Sequence, residues 1–264
     1  MADVLSLFRI PKLSYRVWKV WLRNKDVFMK TYKTNFLPSL LEPILYLVAF
    51  GLGLGGFVQT IDGTPYVNFI APAIVSVSMM YSAFYECTYA SFVRMYFQKT
   101  FDAIVATPVN MEEVITGEII WGATKSLINS SIVLAVITAA GLVSSPMFLL
   151  IPLVAFLVGF LFSSIAMCFT AIVPNIDAFN YPAFLFITPM TLLSGTFFPL
   201  TAMPEFVQSA AHIVFPLTNA VSITRALTLG NIETSILFSL AWMLIVAPIF
   251  FILAINLMKK RLIK

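Results

Sequence analysis

The sequence predicts an all-α integral membrane protein with six transmembrane helices, and three observations lead to this fold class. The chain of 264 residues is 60% hydrophobic and only 11% charged, whereas an ordinary soluble domain carries roughly 25% charged residues. Residues 126–176 form a run of 51 positions without Asp, Glu, Lys, Arg or His. A span needs about 20 apolar residues, so this run predicts two spans joined at Ser144-Ser145-Pro146. The third observation is that Lys and Arg are concentrated on one predicted side of the membrane.

Uncharged stretches separate the six predicted spans. Residues 1–34 are assigned to a cytoplasmic interfacial helix, and residues 35–264 to the six-span membrane domain. Thr64 is placed to cap the second span, and Pro65 suits the first position of its helix. Close helix packing explains the small residues of Gly51-Leu-Gly-Leu-Gly-Gly56 in the first span. The predicted spans cover residues 37–59, 65–85 with a helical extension to 94, 115–142, 146–173, 181–199 and 234–258.

The basic residues orient the spans. With six spans, 14 of the 16 Lys and Arg fall on one side, and segments 60–64 and 143–145 on the other side have none. The positive-inside rule makes the basic side cytoplasmic. Both termini are therefore predicted to lie in the cytoplasm. The 14 residues are Arg9, Lys12, Arg16, Lys19, Arg23, Lys25, Lys30, Lys33, Arg94, Lys99, Lys259, Lys260, Arg261 and Lys264.

The N-terminal segment predicts an amphipathic helix in the cytoplasmic interface of the membrane. A stripe of mainly apolar side chains recurs at steps of three and four residues from Leu13 to Tyr32, with basic residues between them. On such a helix the basic side chains extend toward anionic headgroups. Two interpretations are open: the helix is a membrane anchor that fixes the topology, or it is a lever against a cytoplasmic partner.

A short amphipathic helix is predicted in the cytoplasm between the second and third spans, within residues 97–109. This helix must end before Pro108, because proline disfavours helical backbone at the preceding residue. A new helix opens at Asn110, where Glu113 completes a capping box. The short helix either docks in a groove of a partner or lies on the lipid surface. Its apolar stripe consists of Phe97, Phe101, Ile104 and Val105.

On the predicted outer side, residues 200–228 are too apolar for a solvated loop, yet their prolines forbid one continuous span. Two short re-entrant helices between the fifth and sixth spans fit this pattern best. Non-helical backbone at that depth is stable only where it is buried in protein or lines a wet cavity. Arg225 is expected to pair with backbone carbonyls there, and substrate contact is the alternative.

Four ionisable residues lie in or beside predicted spans. A charge at the bilayer centre costs about 2.5–3.5 kcal/mol on insertion scales, so each should face protein, water or an interface. Glu118 and Lys125 are seven residues apart, on one face of a helix. The spacing leaves open whether Lys125 pairs with Glu118, with Glu86 or with neither. It also leaves open whether these charges orient helices or contact a substrate. The four residues are Glu42, Glu86, Glu118 and Lys125.

The sequence carries no motif for catalysis. It has no GxxxxGK[ST] phosphate loop, no HExxH, no Cys/His cluster and no Ser-His-Asp set. Cys87 and Cys168 lie in apolar runs and are predicted to be small core residues, and His212 is most simply a polar interfacial residue. We expect no catalytic residue, no bound metal or cofactor, and no nucleic-acid partner.

One longer pattern runs through the second half of the chain, beginning with Phe186-Ile-Thr-Pro-Met-Thr-Leu-Leu-Ser-Gly-Thr-Phe-Phe-Pro199. Met203-Pro204, Pro216-Leu217-Thr218 and Arg225-Ala226-Leu227 follow it. This pattern resembles the permeases of the type-2 ATP-binding-cassette (ABC) exporter family. Within the family, the chain looks most like the permease of nodulation-type lipo-oligosaccharide exporters. Stretches that agree with this subgroup are Leu41-Glu42-Pro43, residues 50–55, Glu86 to Met95, residues 99–108 and Gly117-Glu118.

The resemblance implies a homodimer of this permease in the bacterial inner membrane, with two copies of a separate ABC ATPase subunit that bind ATP and Mg. It implies that residues 97–109 are the coupling helix, which docks on the ATPase, and that the N-terminal helix lies against the same partner. The implied docking residues are Phe97, Phe101, Asp102, Ile104, Val105, Thr107 and Pro108. The implied external gate comprises Ser194, Gly195, Phe197, Phe198, Pro199 and Arg225.

The resemblance also implies a lipid-linked oligosaccharide or similar glycolipid as the substrate, moved outward from the inner leaflet. Aromatic rings on the path would stack on sugars, although most Phe in a membrane protein face lipid. Alternatives are a drug or polysaccharide exporter of the same family, a self-sufficient secondary transporter, and a membrane transferase. Scattered carboxylates and unmatched charges in the two halves argue against the last two. The path candidates are Glu42, Tyr46, Tyr81, Tyr85, Glu86, Tyr89, Lys125 and Phe184.

Overall fold

The structure, a computed structural model, describes residues 9–32, 41, 44–58, 60–61, 63–231 and 234–262. These residues are predominantly helical, with one antiparallel ribbon of β1 (Thr60–Ile61) and β2 (Thr64–Pro65). The helices are α1 (Val17–Lys30), α2 (Tyr66–Tyr85), α3 (Thr100–Val105), α4 (Met111–Ala139), α5 (Ile151–Ile172), α6 (Asn180–Pro182), α7 (Thr188–Leu193), α8 (Glu205–Val214), α9 (Pro216–Leu229) and α10 (Ser235–Leu262). Leu47–Leu54, Glu86–Ala90, Val93–Phe97 and Ala183–Ile187 are π-helical, and Pro146–Leu150, Asp177–Phe179 and Leu200–Ala202 are 3₁₀ turns.

Four helical stretches among the described residues are long and apolar enough to cross a membrane. They are Tyr66–Phe97, Met111–Ala139, Pro146–Ile172 and Ser235–Leu262, and they correspond to the second, third, fourth and sixth predicted spans. The pair α8 and α9, bent by 94°, adds a fifth if it is counted as one broken span. The count of six spans and the cytoplasmic position of both termini stay predictions.

The first predicted span lies partly outside the described residues. In its described part, Gly51 faces Val67 of α2 at van der Waals distance, as close packing requires, whereas Gly53 faces open space. The fifth predicted span is a continuous helical run over residues 177–193. At 1.5 Å per residue this run is roughly 26 Å long, somewhat less than the hydrocarbon thickness of about 30 Å. The helix ends at Leu193 rather than at Pro199, because Gly195 turns the chain with a φ of 71°.

The start of α2 also differs from the prediction. The helix begins at Tyr66, and Pro65 precedes it in extended backbone with a ψ of 138°. Thr64 makes no side-chain cap, because Thr64 and Pro65 form the ribbon strand that pairs with β1. The predicted cap was therefore wrong, because Ile61 pairs with Thr64 in a tight hairpin. The residues between them in the sequence are Asp-Gly, a local hairpin signal that the prediction did not use.

The core lies where α2, α4 and α5 pack against one another, with α10 against α5 and α9 against α2. Small residues bring α4 and α5 close together. A methyl group on Gly159 would lie only 2.5 Å from Cβ of Ser126, and one on Gly122 only 2.3 Å from Oγ of Ser163. Cys87 and Cys168 are free and buried, which confirms their prediction as core residues.

Helix α1, which the sequence predicts to lie in the membrane interface, packs along α4. Val20 is buried against Gly117, where a methyl group would lie 2.6 Å from the Val20 Cβ. Indole rings of Trp18 and Trp21 stack with centroids 4.0 Å apart, and Trp21 Nε1 donates a hydrogen bond of 2.9 Å to Thr124. One face of α1 is therefore held by protein.

The segment before α1 contacts two distant parts of the chain, and we call this group of contacts the N-terminal clasp. The backbone N–H of Lys12 and the Nζ of Lys259 both donate to the carboxylate of Glu112. Asn256 Nδ2 donates to the carbonyl of Arg9 at 2.9 Å. The clasp therefore connects the N-terminal segment, the start of α4 and the end of α10.

Candidate functional site

A cavity of about 820 Å³ lies between α1, α2 and α4. Its tyrosines at positions 81, 85 and 89 follow each other at one-turn spacing along α2 and its π-helical extension. The ring centroids are 5.5 Å apart for the first pair and 5.8 Å for the second. This row of rings forms one wall. The lining residues from α2 and its extension include Ile74, Val77, Ser78, Tyr81, Ser82, Tyr85, Glu86, Tyr89 and Arg94; the others include Arg23, Asn24, Tyr46, Trp121, Lys125 and Asn129.

Four charged side chains form a network at this cavity. Arg94 Nη2 lies 2.8 Å from Glu86 Oε1 and 2.6 Å from Glu118 Oε2. Lys125 Nζ lies 2.8 Å from Glu86 Oε2. The structure therefore answers the question that the spacing left open, because Lys125 pairs with Glu86. Glu118, on the same helix as Lys125, pairs with Arg94 instead.

Neutral donors complete the coordination of both buried carboxylates. Asn24 Nδ2 donates to Glu118 Oε1 at 2.7 Å, and Ser91 Oγ donates to Glu118 Oε2 at 3.0 Å. Trp121 Nε1 donates to Glu86 Oε1 at 3.1 Å. A buried charge is tolerated only when it is paired and hydrogen-bonded. Both carboxylates meet this condition.

Arg23 connects this network to the start of α3. Its Nη1 donates to Asn24 Oδ1 at 2.9 Å, and its Nη2 donates to Thr100 Oγ1 at 3.5 Å. Burial lowers the pKa of the Arg23 guanidinium, while Glu118 raises it and Arg94 lowers it further. Burial is the largest of these effects, so the pKa of Arg23 is lowered overall.

The backbone around the network departs from α-helical geometry. Glu86 begins one π-helical segment, and Arg94 lies in the next. Such π-bulges are rare and occur frequently at functional sites. Here they lie in the part of the span that carries the charged side chains.

The predicted path residues fall into three groups. Tyr46, Tyr81, Tyr85, Glu86, Tyr89 and Lys125 all line the cavity. Phe184 does not line it and is 67% exposed on the helical run of residues 177–193. Glu42 lies outside the described residues. The structure thus brings six of the eight candidates together, and their contact with a substrate stays a prediction.

Sequence reasoning missed Arg94 and Asn24 as members of the site. Arg94 was counted as a topology charge, since the uncharged part of its span ends at Tyr85. The available signal was the helical extension beyond Glu86, which places Arg94 two helical turns after Glu86. Asn24 carried another signal: it is a polar residue inside the apolar stripe of α1.

The predicted coupling helix is α3, six residues long. It begins after Lys99, whose φ of 52° is left-handed, and it ends before Pro108 as predicted. Phe101 is fully buried in the core of this chain. The expectation that its side chain faces a partner was therefore wrong, because Phe101 instead holds α3 to the span bundle.

The other predicted docking residues remain available at the surface. Phe97 is 61% and Val105 is 38% exposed, and Ile104 is half-buried. Asp102, Thr107 and Pro108 are exposed. The Arg16 guanidinium donates to the Pro108 carbonyl, which fixes the segment after α3 to the N-terminal segment. The docking role of this surface stays a prediction.

On the predicted outer side, Arg225 ties three elements together. Its Nη2 donates to the carbonyl of Gly195 at 2.8 Å and to that of Phe69 at 3.3 Å. Its guanidinium also lies 3.8 Å from the centroid of the Phe69 ring. The pairing with backbone carbonyls that the sequence predicted is therefore confirmed.

The remaining gate candidates lie around these contacts of Arg225. Ser194 is buried, Phe198 is exposed, and Phe197 packs on Phe50 with ring centroids 4.9 Å apart. Pro199 precedes the 3₁₀ turn that leads to α8. Closure of an outer mouth by these residues stays a prediction.

Long apolar helices around a polar cavity with buried ion pairs define a multi-pass membrane protein. In the part of the chain that the structure describes, no group of three or more His, Cys, Asp or Glu is placed to hold a metal ion. The ABC-2 type transporter family model matches residues 15–229, and the chain belongs to this family. It is a transporter permease.

Relatives named nodulation protein J match nearly the whole chain. It is 34% identical over 245 residues to nodulation protein J of Sinorhizobium fredii, which covers 92% of this chain and 93% of the relative. Nodulation protein J of Rhizobium meliloti is 33% identical over 259 residues, covering 98% of each. The inner membrane transport permease YadH of Escherichia coli is 25% identical over 198 residues, covering 74% of this chain and 75% of the relative.

Proposed function

We propose that this chain is the transmembrane subunit of an ATP-driven exporter that moves a lipid-linked oligosaccharide or similar glycolipid outward from the inner leaflet. Two copies of the permease would work with two copies of a separate ABC ATPase in the bacterial inner membrane. ATP and Mg would bind to that ATPase. The family match and the nodulation protein J relatives support this assignment.

The observation that carries the proposal is the polarity of the cavity along α2. One end is lined by Ile74 and Val77, and the other by Arg94 and Gln98. Ile74 and Arg94 are 20 residues apart, which corresponds to roughly 30 Å of helix. The tyrosine row lies between these ends. An amphiphile fits this gradient with its acyl chain toward Ile74 and its sugar near the tyrosines and charges.

Force from the partner would enter at α3. Nucleotide binding draws the ATPase subunits together, and α3 carries that displacement into α2 and α4, to which it is joined by short connections. The buried Phe101 attaches α3 to the bundle, so that a displacement of α3 is passed on to the spans. Movement of the two helices then opens the cavity toward the outer side.

A transport assay tests the glycolipid assignment. We expect Tyr85→Ala to lower export of a labelled lipid-linked oligosaccharide by roughly three- to tenfold, since an aromatic stacking contact contributes about 0.5–1.5 kcal/mol. The measurement uses proteoliposomes that contain the permease with its ATPase. Tyr181→Ala is the matched control, because Tyr181 is exposed and does not line the cavity. Equal effects of both variants would contradict a substrate role for the tyrosine row.

Substrate identity and energy source are separated by two further outcomes. Export of an amphipathic drug or a long polysaccharide, with no export of the glycolipid, would favour the other exporters of the same family. Uphill transport by the permease without any ATPase would make it a secondary transporter and refute the proposal.

Docking of the ATPase is tested by charge reversal on α3. Asp102→Arg places a cation on the exposed side of α3 without touching the buried Phe101. We expect co-purification of the ATPase and stimulation of its ATP hydrolysis to fall at least tenfold, because like or unpaired charge at an interface costs several kcal/mol. Asp177→Arg, at an exposed aspartate in the turn Asp177–Phe179, is the control. Unchanged stimulation in the Asp102 variant would refute the docking role.

A further inference from the structure

A continuous line of polar contacts runs from the start of α3 to the cavity. It begins with Thr100, to which Arg23 donates at 3.5 Å. Arg23 donates to Asn24 at 2.9 Å, and Asn24 donates to Glu118 at 2.7 Å. The short surface helix α3, the interfacial helix α1 and the span α4 are thus joined by consecutive side chains.

The same line continues from Glu118 to the cavity wall. Arg94 bridges Glu118 at 2.6 Å and Glu86 at 2.8 Å, and Glu86 holds Lys125 at 2.8 Å. Glu86, Arg94 and Lys125 line the cavity. Asn24 is the residue at which α1 enters this network, since its side chain is buried and its amide reaches the Glu118 carboxylate.

The contact between α1 and α4 leaves little freedom for independent movement. Val20 packs so closely on Gly117 that a methyl group there would lie 2.6 Å from the Val20 Cβ. Asn24 is one turn beyond Val20, and Glu118 follows Gly117 directly. A displacement of α1 therefore acts on the hydrogen bond between Asn24 and Glu118 before it reaches other parts of the network.

Loss of that bond would redistribute the ion pairs. Glu118 is fully buried, and a buried carboxylate that loses a donor is unfavourable unless another cation or donor compensates. Arg94 is shared between Glu118 and Glu86, so a shift toward Glu118 weakens its contact with Glu86. Glu86 and Lys125 then change their arrangement at the cavity wall.

We propose that Asn24 and Glu118 are positioning residues, through which movement of α1 and α3 sets the arrangement of Glu86 and Lys125 at the cavity. This inference rests on the proposed function, because the movement is supplied by the partner ATPase. Asn24 and Glu118 transmit a displacement. The residues that face the substrate are Glu86, Lys125 and the tyrosine row.

The network offers a matched pair of variants. Asn24→Ala and Ser91→Ala each remove one neutral hydrogen bond to the Glu118 carboxylate, at 2.7 Å and 3.0 Å, from a buried side chain. Only the Asn24 bond crosses to α1, whereas Ser91 belongs to the helical stretch of Glu86 and Arg94. A purely structural role of Glu118 predicts similar effects of the two variants.

The test is hydrogen exchange on the full permease with its ATPase in nanodiscs of Escherichia coli polar lipids, with and without a non-hydrolysable ATP analogue. In the wild type and in Ser91→Ala, nucleotide should change exchange in residues 17–30 and in residues 86–97. In Asn24→Ala, the change in residues 17–30 should persist. The change in residues 86–97 should fall at least about tenfold, the lower limit for one hydrogen bond to a charged group. Asn24→Ser keeps a shorter donor. Its change in residues 86–97 should therefore lie between that of the wild type and that of Asn24→Ala.

Two results overturn the inference and are distinguishable from each other. If wild type, Asn24→Ser and Asn24→Ala respond equally in residues 86–97, or if Ser91→Ala loses as much as Asn24→Ala, the transmission role is wrong while the proposed function stands. If nucleotide changes exchange in neither segment of the wild-type complex, the proposed function fails together with the inference.

Discussion

Gly117 determines how closely α1 approaches α4. Gly117→Ala should destabilise the permease by about 1–3 kcal/mol, the usual cost of overpacking, because its methyl group would meet Val20 at 2.6 Å. The measurement is thermal unfolding of the purified protein, together with hydrogen exchange of residues 17–30. Gly53→Ala is the control, since nothing lies within 4 Å of a methyl group at Gly53. Unaltered exchange of residues 17–30 in the Gly117 variant would show that α1 is not held by this contact.

Arg225 fixes the turn after α7. In Arg225→Gln, exchange of residues 194–199 should rise roughly ten- to hundredfold, because a hydrogen bond to a charged group contributes about 1.5–3 kcal/mol. Gln208→Ala is the control, since Gln208 makes a local bond of 2.8 Å to the Met203 carbonyl. The prediction fails if both variants raise the exchange of residues 194–199 to the same extent.

At the level of single residues, the sequence predicted which side chains carry charge in the membrane but not how these side chains pair. The spacing of Glu118 and Lys125 indicated a shared helical face, yet their partners, Arg94 and Glu86, lie on another helix. Pairing across helices depends on the crossing of α2 and α4, which one sequence does not specify. Phe101 was misplaced for the same reason, because an apolar stripe does not tell whether it faces its own bundle or a partner.

Elements were predicted best where their signals are local. The capping box at Asn110 and Glu113 is confirmed: the Asn110 side chain accepts from the Glu113 N–H at 2.8 Å, and the Glu113 carboxylate accepts from the Asn110 N–H at 2.8 Å. The end of α3 before Pro108 is likewise a local rule. The predicted start of α2 was wrong by one residue, because Pro65 pairs with Thr60 in the hairpin of β1 and β2. This signal is also local, since Asp-Gly separates Ile61 from Thr64 in the sequence, but the prediction did not use it.

Removal of the Asn110 cap tests the element that follows α3. Asn110→Ala should lower the stability of the permease by about 1 kcal/mol, the typical contribution of an N-cap side chain. Thermal unfolding in detergent measures the change. Asn175→Ala removes a similar bond, to the N–H of Ala178 at 3.0 Å, but caps only the three-residue turn Asp177–Phe179. Asn175→Ala is therefore expected to lose less stability than Asn110→Ala. Equal losses of stability would contradict the role of the capping box in fixing the start of α4.

For the whole molecule, hydropathy and charge predicted a membrane bundle. The number of spans is harder to predict than the membrane bundle itself. In the fifth predicted span, for example, residues 177–193 are helical over a length slightly below a full crossing of the membrane. The orientation of the bundle relative to the membrane rests on the basic residues alone.

Thiol labelling in intact cells tests this orientation. Ser144→Cys should react with a membrane-impermeant maleimide added outside, and Gln98→Cys only after the cells are permeabilised, since both positions are exposed and lie at opposite predicted ends. The native cysteines are buried and give a low background. Labelling of Gln98→Cys in unopened cells would reverse the topology.

The N-terminal clasp has a consequence for biogenesis. Glu112 and Lys259 are separated by 147 positions, so their contact can form only after α10 has been synthesised. Before that, the Glu112 carboxylate can accept a hydrogen bond from the Lys12 N–H of the N-terminal segment. A truncated product that stops short of α10 would lack the Lys259 half of the clasp. Synthesis of α10 is thereby connected to the attachment of the N-terminal segment to α4.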